Sequence, residues 1–504
     1  MKRNNMFELS FDNLPEGGEI AAEFTCGNEK ITVPGFYAGN GVYKVRFLPK
    51  TAGEYRWRVS GIVDAKGTET CEESDLPGMV KADGKAFRFE NGKLFHPFGT
   101  TVYALIHQDQ ALIEQTMQTL SEAPFNKIRM CVFPKHYDFN HNEPEYYAFE
   151  KNEDGTWDPT RPVYAFWDAL DKHIVRLGSM GIQVDLILFH PYDRWGFDGM
   201  GIEKDKLYLD YLLRRLSAYP HIWWSLANEY ELTKRTEKEW YAIEEYIASH
   251  DPYHHLLSCH NIFKLWDANR PLTTHASIQS KDLNMLADWC GRYNTPVMLD
   301  ECGYEGNLEY FWGCLTGQEM TRRFWKAICC GAYCTHGETF YADDDILWWA
   351  RGGVLKGESP DRIAFCRKIV ESLPGHLEVE PFWMSRLLTL MDKPKDDQEA
   401  LLSSLPEVNK RFIRAFWECG RDAESFAHHE SGFAARIGTE CYLRFYDTRP
   451  AARDTLRLSE DRKYTIQLID TWNMTTETVA TGVSGTYVVS LLGRENMAVL
   501  ALAE

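Results

Sequence analysis

Polar and hydrophobic residues alternate with a period of two over much of the first 80 residues. The segments YKVRF (43–47) and YRWRV (55–59) each place hydrophobic side chains on one face and basic side chains on the other, with Pro49 and Gly53 between them. Because successive side chains of a strand point to opposite faces, these segments predict a hairpin in a half-buried antiparallel sheet. Residues 1–80 are therefore predicted to form a small immunoglobulin-like β-sandwich.

After a polar, turn-rich segment (71–85), short apolar segments alternate with longer amphipathic ones. Eight segments are predicted to be strands: LFHPFGTTVY (94–103), KIRMCVF (127–133), QVDLILFH (183–190), IWWSLAN (222–228), HLLSCH (255–260), LTTHAS (272–277), PVMLDE (296–301) and GAYCTHGE (331–338). Between them, YLDYLLRRLSAYP (208–220) carries leucines at helical spacing. This rhythm over residues 86–375 predicts a (β/α)8 barrel. A doubly wound open sheet is the alternative, although no glycine-rich phosphate-binding fingerprint opens the first βα turn.

The last part of the chain, residues 376–504, returns to short alternating segments such as YTIQLID (464–470) and MAVLALA (497–503). It is rich in turn residues and poor in helical signals. This pattern predicts a second β-sandwich. The predicted fold class is thus a (β/α)8 TIM barrel between an N-terminal and a C-terminal β-sandwich.

Composition narrows the choice of partners. With 55 basic and 74 acidic residues the net charge is −19, which disfavours nucleic acids and anionic membranes. No apolar run approaches the roughly 18 residues that a membrane span requires. The net charge says little about a neutral small-molecule ligand and is compatible with a homo-oligomer.

The thirteen cysteines are scattered, and several lie in apolar segments. Free thiols in a reducing compartment are expected. The N-terminal segment MKRNNMFELS lacks the apolar stretch of a secretory signal. A cytoplasmic location is therefore expected.

No metal or other cofactor is predicted. The sequence has neither a CxxC pair nor an HExxH motif. The nearest cluster of metal-ligand types is His254, His255, Cys259 and His260. On a strand these side chains alternate between faces, which keeps them from converging on one ion.

Two predicted strands end in a glutamate. The fourth ends in WSLANE (224–229) and the seventh in VMLDE (297–301). In such barrels the carboxyl ends of the strands form the active-site face. Glycoside cleavage needs one carboxyl group that holds a proton and one that is ionised, on either side of the same bond. Glu229 and Glu301 are therefore the candidate catalytic pair, with Asp300 as the rival to Glu301, because strand alternation would turn one of the two neighbours toward the helices.

WSLANE and VMLDE resemble the corresponding segments of glycoside hydrolase clan A, which includes family 5. The layout, with THGETF (335–340), LWWARGG (347–353) and IDTWNM (469–474), also resembles bacterial proteins that place one small sandwich before such a barrel and another after it. The resemblance implies a carbohydrate substrate, with Glu229, after Asn228 on strand four, as the acid/base and Glu301 on strand seven as the nucleophile. It also implies that Arg129, at the end of strand two, supports the nucleophile.

Further polar and aromatic residues at strand ends are candidate substrate-binding groups. Asn228 is expected to donate to the sugar 2-hydroxyl, and His275 to contact the nucleophile or the sugar. The other candidates are His190 after strand three, His336 and Glu338 at strand eight, and Trp348 and Trp349 in the loop that follows. Glu338 is expected to bind hydroxyl groups of the terminal sugar, and it is the leading rival to Glu301 for the catalytic role.

The sequence therefore predicts a retaining glycoside hydrolase, and an exo-acting β-glycosidase on small oligosaccharides or plant glycosides is favoured. An endo-acting glycanase of the cellulase or mannanase type is the alternative within enzymes. A carbohydrate-binding protein without catalysis is the alternative of another class, but both glutamates are present.

Overall fold

The structure is a computed structural model that describes residues 1–380, 394–420 and 432–504. The predicted domain 376–504 therefore lies partly outside the described residues. The predicted domain limits (1–80, 86–375 and 376–504) stay predictions.

The N-terminal region is a sandwich of two antiparallel sheets. Its strands are β1 Phe7–Phe11, β2 Ile20–Cys26, β3 Glu29–Pro34, β4 Phe36–Tyr37, β5 Tyr43–Phe47, β6 Gly53–Gly61 and β7 Ala65–Cys71. One sheet has the order β1-β5-β4 and the other β3-β2-β6-β7. The predicted hairpin between β5 and β6 is wrong, because these strands lie in different sheets. Their rings meet across the sandwich instead, with the Phe47 and Tyr55 centroids 5.2 Å apart.

A three-stranded sheet follows and closes the N-terminal end of the barrel. Its strands are β8 Val80–Asp83, β9 Ala86–Phe89 and β10 Leu94–Phe95. The ring of Phe87 lies 4.9 Å from that of Trp223 and 5.3 Å from that of Tyr333, both on barrel strands. This apolar layer separates the base of the barrel from water.

Eight parallel strands form the barrel. The barrel strands are β11 Phe98–Thr101, β12 Lys127–Cys131, β15 Gln183–Phe189, β16 Ile222–Ala227, β17 Leu257–Ser258, β18 Ala276–Gln279, β19 Val297–Glu301 and β21 Tyr333–His336. Two further pairs form separate two-stranded sheets, β13 Phe149–Lys151 with β14 Trp157–Pro162 and β20 Glu305–Gly306 with β22 Glu338–Thr339. The barrel order is β17-β16-β15-β12-β11-β21-β19-β18. A parallel bridge between His260 and Ser277 joins the two end strands and closes the barrel.

Helices surround the barrel and connect most of its strands. They are α1 Gln110–Glu122, α2 Tyr164–Ser179, α3 Ile202–Leu216, α4 Glu237–His250, α5 Leu286–Arg292, α6 Gly317–Ile328, α7 Trp348–Arg351 and α8 Ser359–Glu371. Between β17 and β18, residues 259–275 contain no helix. The barrel strands are rich in hydrophobic residues because both faces are covered, and all seven residues of β15 are buried.

The C-terminal region is the second sandwich. Its strands are β23 Glu378–Val379, β24 Phe433–Ile437, β25 Cys441–Phe445, β26 Arg453–Arg457, β27 Tyr464–Asp470, β28 Thr475–Val483, β29 Thr486–Ser490 and β30 Met497–Ala503. The six-stranded sheet β23-β24-β25-β30-β27-β28 packs on α6, where the rings of Trp325 and Phe445 lie 6.1 Å apart, and the pair β26-β29 forms a separate two-stranded sheet. Two helices that the helix-poor pattern did not predict lie between β23 and β24 in the chain, α9 Lys395–Ser403 and α10 Glu407–Glu418.

The N-terminal sandwich is joined to the barrel by a buried ion network. Arg46 donates to both oxygens of Asp171 over 2.9 and 2.8 Å and to the carbonyl oxygen of Arg215 over 2.8 Å. Arg215 donates to the same carboxylate over 2.9 Å. One acceptor on α2 therefore binds guanidinium groups from two regions of the chain.

Two features concern the whole described chain. All thirteen cysteines lie within it and are free, and eleven of them are buried. None of the described helices combines the length and the apolar character that crossing a bilayer demands.

Candidate active site

The end of β16 places Glu229 at the mouth of the barrel. The strand stops at Ala227, and Glu229 adopts the left-handed conformation (φ 51°, ψ 58°) before a short 3₁₀ turn. A non-glycine residue in this region costs roughly 1–2 kcal/mol and such residues cluster at functional sites. The turn directs the carboxyl group into the cavity above the barrel.

Glu229 is 5% exposed and has two polar neighbours. The hydroxyl of Tyr192 donates to its Oε2, and the amide nitrogen of Gln279 donates to its Oε1 over 3.2 Å. Burial, followed by the negative charge of Glu301, raises the pKa of Glu229. A carboxyl group in this setting keeps a proton at a higher pH than an exposed one.

The end of β19 contains a β-bulge. Ile278 pairs with Leu299 and Gln279 with Glu301, so that Asp300 has no partner on β18. The prediction that Asp300 and Glu301 face opposite sides is therefore wrong. A bulge inserts one residue and re-aims the side chains around it, and here both carboxylates lie on the inner side of the barrel.

Glu301 faces the cavity and is 7% exposed. Its Oε1 accepts a hydrogen bond from the Tyr103 hydroxyl and lies 3.5 Å from Nη1 of Arg129. Nε2 of His260 lies 3.8 Å from the same oxygen. Burial, followed by the charge of Arg129, lowers the pKa of His260, which keeps the ring neutral. Among these neighbours of Glu301, the positive charge is therefore that of Arg129.

Asn228 precedes Glu229 in the chain and shares its hydrogen-bond donors with Glu301. Its Oδ1 accepts from Nη2 of Arg129 over 3.4 Å and lies 3.0 Å from the Tyr103 hydroxyl, whose single proton is shared between this oxygen and Glu301. Both donors also contact Glu301. The amide of Asn228 is therefore held by the same pair of groups that holds the carboxylate on the opposite strand.

Asp300 lies one layer deeper in the barrel. Its carboxylate accepts from Lys127 over 2.8 Å, from Ser277 over 2.6 Å and from Thr335 over 2.8 Å. Lys127 also donates to Asp185 over 2.6 Å. The pKa of Asp300 lies well below its usual range because the charges of Lys127 and Arg129 outweigh the effect of burial. This ionised layer fills the barrel below the cavity.

A cavity of about 1020 Å³ contains both glutamates. The side chains that line the cavity include Tyr103, Lys135, Tyr137, Phe139, Tyr192, Asn228, Gln279, Tyr304, Trp312 and Trp349. Trp349 lies at the centre of an aromatic wall, with ring centroids 5.1 Å from Tyr137, 5.5 Å from Phe139 and 5.2 Å from Trp312. Aromatic faces of this kind suit the C–H faces of sugar rings.

Of the predicted binding residues, Asn228 and Trp349 line the cavity, and Arg129 lies directly beneath it. Trp348, the neighbour of Trp349, points the other way and donates to Oγ1 of Thr100 over 2.8 Å. The two adjacent tryptophans therefore serve different parts of the molecule.

The three predicted histidines do not reach the cavity. His190 is bonded to the carbonyl oxygen of Phe133 at 3.1 Å. His275 precedes β18 and packs against the rings of Phe87 and Trp223, both 5.4 Å away, at the base of the barrel. Burial lowers the pKa of both histidines to about 3.

His336 and Glu338 also lie outside the cavity. His336 is stacked on Phe125 at 4.7 Å, on the outer side of β21. Glu338 accepts from the backbone N–H of Lys356 over 2.7 Å. The expectation that these two residues contact the sugar is therefore not met by their positions.

Several cavity residues were not singled out from the sequence. Lys135 is 2% exposed, and its Nζ lies 3.5 Å from the centroid of Tyr103 and 4.3 Å from that of Tyr192. Tyr192 and Lys135 lie in loops after β15 and β12. Their hydroxyl and ammonium groups would have been found only by testing every polar residue in the segments that follow barrel strands.

Comparison with known proteins identifies the family of the barrel. Residues 81–373 match a family model described as "Apiosidase-like, catalytic domain", and residues 5–61 and 431–501 match two further models, DUF5060 and DUF5605. No curated protein sequence matches the chain.

Two solved structures are similar over most of the chain. One, described as a candidate glycoside hydrolase from Bacteroides vulgatus ATCC 8482, is 31% identical, with a TM-score of 0.84 over 100% of this chain and 99% of that one. The other, a glycoside hydrolase family 5 protein from the same organism, shares the fold at 14% identity, with a TM-score of 0.62 over 85% and 94% of the two chains. The chain belongs to the apiosidase-like family and is a glycoside hydrolase with a (β/α)8 catalytic barrel.

Proposed function

We propose that the enzyme is a retaining β-glycosidase in which Glu229 is the acid/base and Glu301 the nucleophile. The observation that carries the proposal is that two buried glutamates from β16 and β19 line one cavity, and that burial and the charge of Glu301 raise the pKa of Glu229. A raised pKa suits the group that must deliver a proton near neutral pH.

The reaction has two steps. Glu229 donates its proton to the glycosidic oxygen while a carboxylate oxygen of Glu301 bonds to the anomeric carbon and the aglycone leaves as an alcohol. Glu229 then takes a proton from water, the hydroxyl bonds to the anomeric carbon, and the bond to Glu301 breaks. Atoms and charge balance without a cofactor.

Neighbouring groups support each step. Arg129 and Tyr103 direct their donors at Glu301 and hold its carboxylate in position for attack on the anomeric carbon. The same two groups hold Asn228 by its oxygen, which leaves its amide N–H groups to donate to the sugar 2-hydroxyl. Such a hydrogen bond strengthens in the oxocarbenium-like transition state. Trp349 supplies the aromatic surface under the reactive sugar.

The favoured substrate is a small glycoside with a terminal furanose or pentose that is released singly. The aromatic wall around Trp349 bounds one side of the cavity, which suits a chain end. The name of the matched family makes apiofuranosides the first substrates to test. The thirteen free cysteines fit a cytoplasmic enzyme that receives small imported glycosides.

A panel of nitrophenyl glycosides tests the proposal. It should contain pyranosides and furanosides of both anomers, with β-apiofuranoside included, and the anomer of the first product should be read by NMR. We expect one β-glycoside to be cleaved with retention. Inversion would contradict the roles of both glutamates.

Two further readouts separate the alternatives. An endo-acting glycanase would release oligosaccharides from mannan or cellulose and leave the nitrophenyl monosides intact. A non-catalytic binder would show no activity with any member of the panel, and Glu301→Gln would then change nothing. For the proposed enzyme, Glu301→Gln abolishes turnover, while Glu309→Gln, an exposed glutamate in a nearby loop, retains it.

A further inference from the structure

Three side chains with metal-ligand atoms meet outside the catalytic cavity. Glu305, His336 and Glu338 each offer one ligand atom, and these atoms all lie within 4.8 Å of one another. The three residues are at most 1% exposed. Glu305 and Glu338 are paired partners on the parallel strands β20 and β22.

The cluster has an unbalanced charge. Within the described parts of the chain, no lysine or arginine forms an ion pair with Glu305 or Glu338. Lys356, whose backbone N–H binds Glu338, pairs its ammonium group with Asp344 at 2.7 Å. The buried carboxylate of Asp300, in contrast, is paired with Lys127. Two buried carboxylates without a cation would be costly, because charges are buried only when they are paired or bind a metal.

Two atoms of the cluster have no hydrogen-bond partner in the described structure. They are Nε2 of His336 and Oε1 of Glu338, which lie 3.5 Å apart. Nδ1 of the same ring is bonded to Oγ1 of Thr100 at 3.1 Å, which fixes the ring. Metal-binding histidines are oriented in this way by a partner on the other nitrogen.

The remaining carboxylate oxygens are held by backbone groups. Glu305 accepts from the N–H groups of Glu358 and Ser359 over 2.7 and 3.1 Å, and Oε2 of Glu338 accepts from Lys356. A Cβ at Gly357 would lie 2.5 Å from Oε2 of Glu305 and 2.7 Å from Oε1 of Glu338. The backbone therefore lies close to the cluster, and the space at the centre of the cluster is too small for a side chain.

We propose that Glu305, His336 and Glu338 bind one divalent transition-metal ion with a structural role. One imidazole nitrogen and two carboxylates are a ligand set that suits Zn²⁺ or Mn²⁺ rather than Ca²⁺, which prefers oxygen ligands alone. The ion would fasten the loops after β19 and β21 to the start of α8. Because the cluster is sealed from solvent, the ion is taken up during folding.

The position of the site links it to the catalytic cavity. Tyr304, next to Glu305, lines the cavity and packs so closely on Gly337 that a Cβ there would lie 2.4 Å from its ring. The ion would thus support the cavity wall without touching substrate. Its existence does not depend on the proposed reaction, and the readouts below do not use activity.

The first experiment measures metal in the full-length protein. Purified protein is analysed by plasma mass spectrometry, then unfolded in urea with a chelator and refolded with Zn²⁺, Mn²⁺ or chelator alone. We expect about one equivalent of metal per chain, and an unfolding temperature about 5 °C or more higher after refolding with the correct ion.

Glu338→Gln is the informative variant. Its carbonyl oxygen can still accept from Lys356, and its amide can donate to Nε2 of His336, so that the fold no longer needs an ion. We expect this variant to be folded, to contain less than a tenth of the wild-type metal, and to refold equally well with chelator. Glu358→Gln removes an exposed charge at the start of α8 and should keep the metal.

The proposal is overturned if wild-type protein carries no bound metal and refolds to the same stability with either ion as with chelator. The cluster would then be held together by contacts within the protein alone. If Glu338→Gln fails to fold, the metal content and refolding of the wild type still decide the question.

Discussion

Asp300 and Glu301 are adjacent in the sequence, yet both carboxylates lie inside the barrel because a bulge interrupts the end of β19. Asp300 is sealed against Lys127 in the charged layer, whereas Glu301 contacts Tyr103 and faces the cavity. One strand end therefore supplies both a structural anion and the proposed nucleophile.

Asp300→Asn should destabilise the protein strongly. It leaves Lys127 with one of its two carboxylate partners, and breaking a buried pair costs about 3–5 kcal/mol. The pKa of Asp300 is depressed in the folded protein. Its stabilisation is therefore complete above the ordinary Asp pKa of about 3.9 and is lost only as the pH falls below it. Urea unfolding of wild type and variant from pH 5 to pH 8 should show a constant difference, and a difference below about 1 kcal/mol would contradict the pairing.

The activity that Glu229→Gln loses should depend on how strongly the leaving group of the substrate requires protonation. We expect kcat/KM to fall about 10²–10⁴-fold for aryl glycosides with poor leaving groups, and less for dinitrophenyl glycosides, which need no proton. Azide should restore turnover and yield a glycosyl azide. Glu237→Gln, an exposed change on α4, is the control. An equal loss for all leaving groups would remove Glu229 from the acid/base role.

The alkaline limb of the pH profile should respond to Lys135. Glu229 acts with its proton on, and its pKa is raised, so that kcat/KM falls as the pH rises through that pKa. The positive charge of Lys135 lowers the pKa of Glu229. Lys135→Met should therefore move the alkaline limb to higher pH. Lys281→Met, which removes a charge at the exposed rim of the cavity, should leave it in place because solvent screens that charge. A shift to lower pH would refute the assignment.

The adjacent tryptophans should separate binding from stability. Trp349→Phe reduces the aromatic surface in the cavity and should raise KM or lower kcat/KM by about 10-fold or more. The reason is that one aromatic contact contributes about 1 kcal/mol in addition to the free energy of burying its area. Trp348→Phe loses the hydrogen bond to Thr100 and should lower the unfolding temperature while KM changes less than about 2-fold. Kinetics and thermal melts of both variants make the comparison, and equal effects on KM would contradict it.

The barrel was predictable because its strands are buried on both faces and read as apolar runs, as in β15. The pairing of strands was not. Alternation in 43–47 and 55–59 identified two half-buried strands, but it carries no information on which sheet each strand joins. These strands, β5 and β6, face each other across the sandwich.

The two glutamates could be located because each follows an apolar strand directly. The histidines could not be placed with the same accuracy, because the end and the face of the barrel at which a side chain lies depend on the residue at which its strand begins. The predicted strand 272–277 begins four residues before β18 (Ala276–Gln279), and this offset moves His275 to the opposite end of the barrel. His336 lies on β21, where alternation turns Thr335 inward and His336 outward.

The ion network around Asp171 makes the barrel depend on the N-terminal sandwich. A fragment that starts at residue 81 would lack Arg46, leave Asp171 with fewer donors, and uncover Ala218 and Tyr253, which are buried against the N-terminal sandwich. The sandwich is thus part of the hydrophobic and ionic support of α2 and α3, and heat should melt both regions in a single cooperative step.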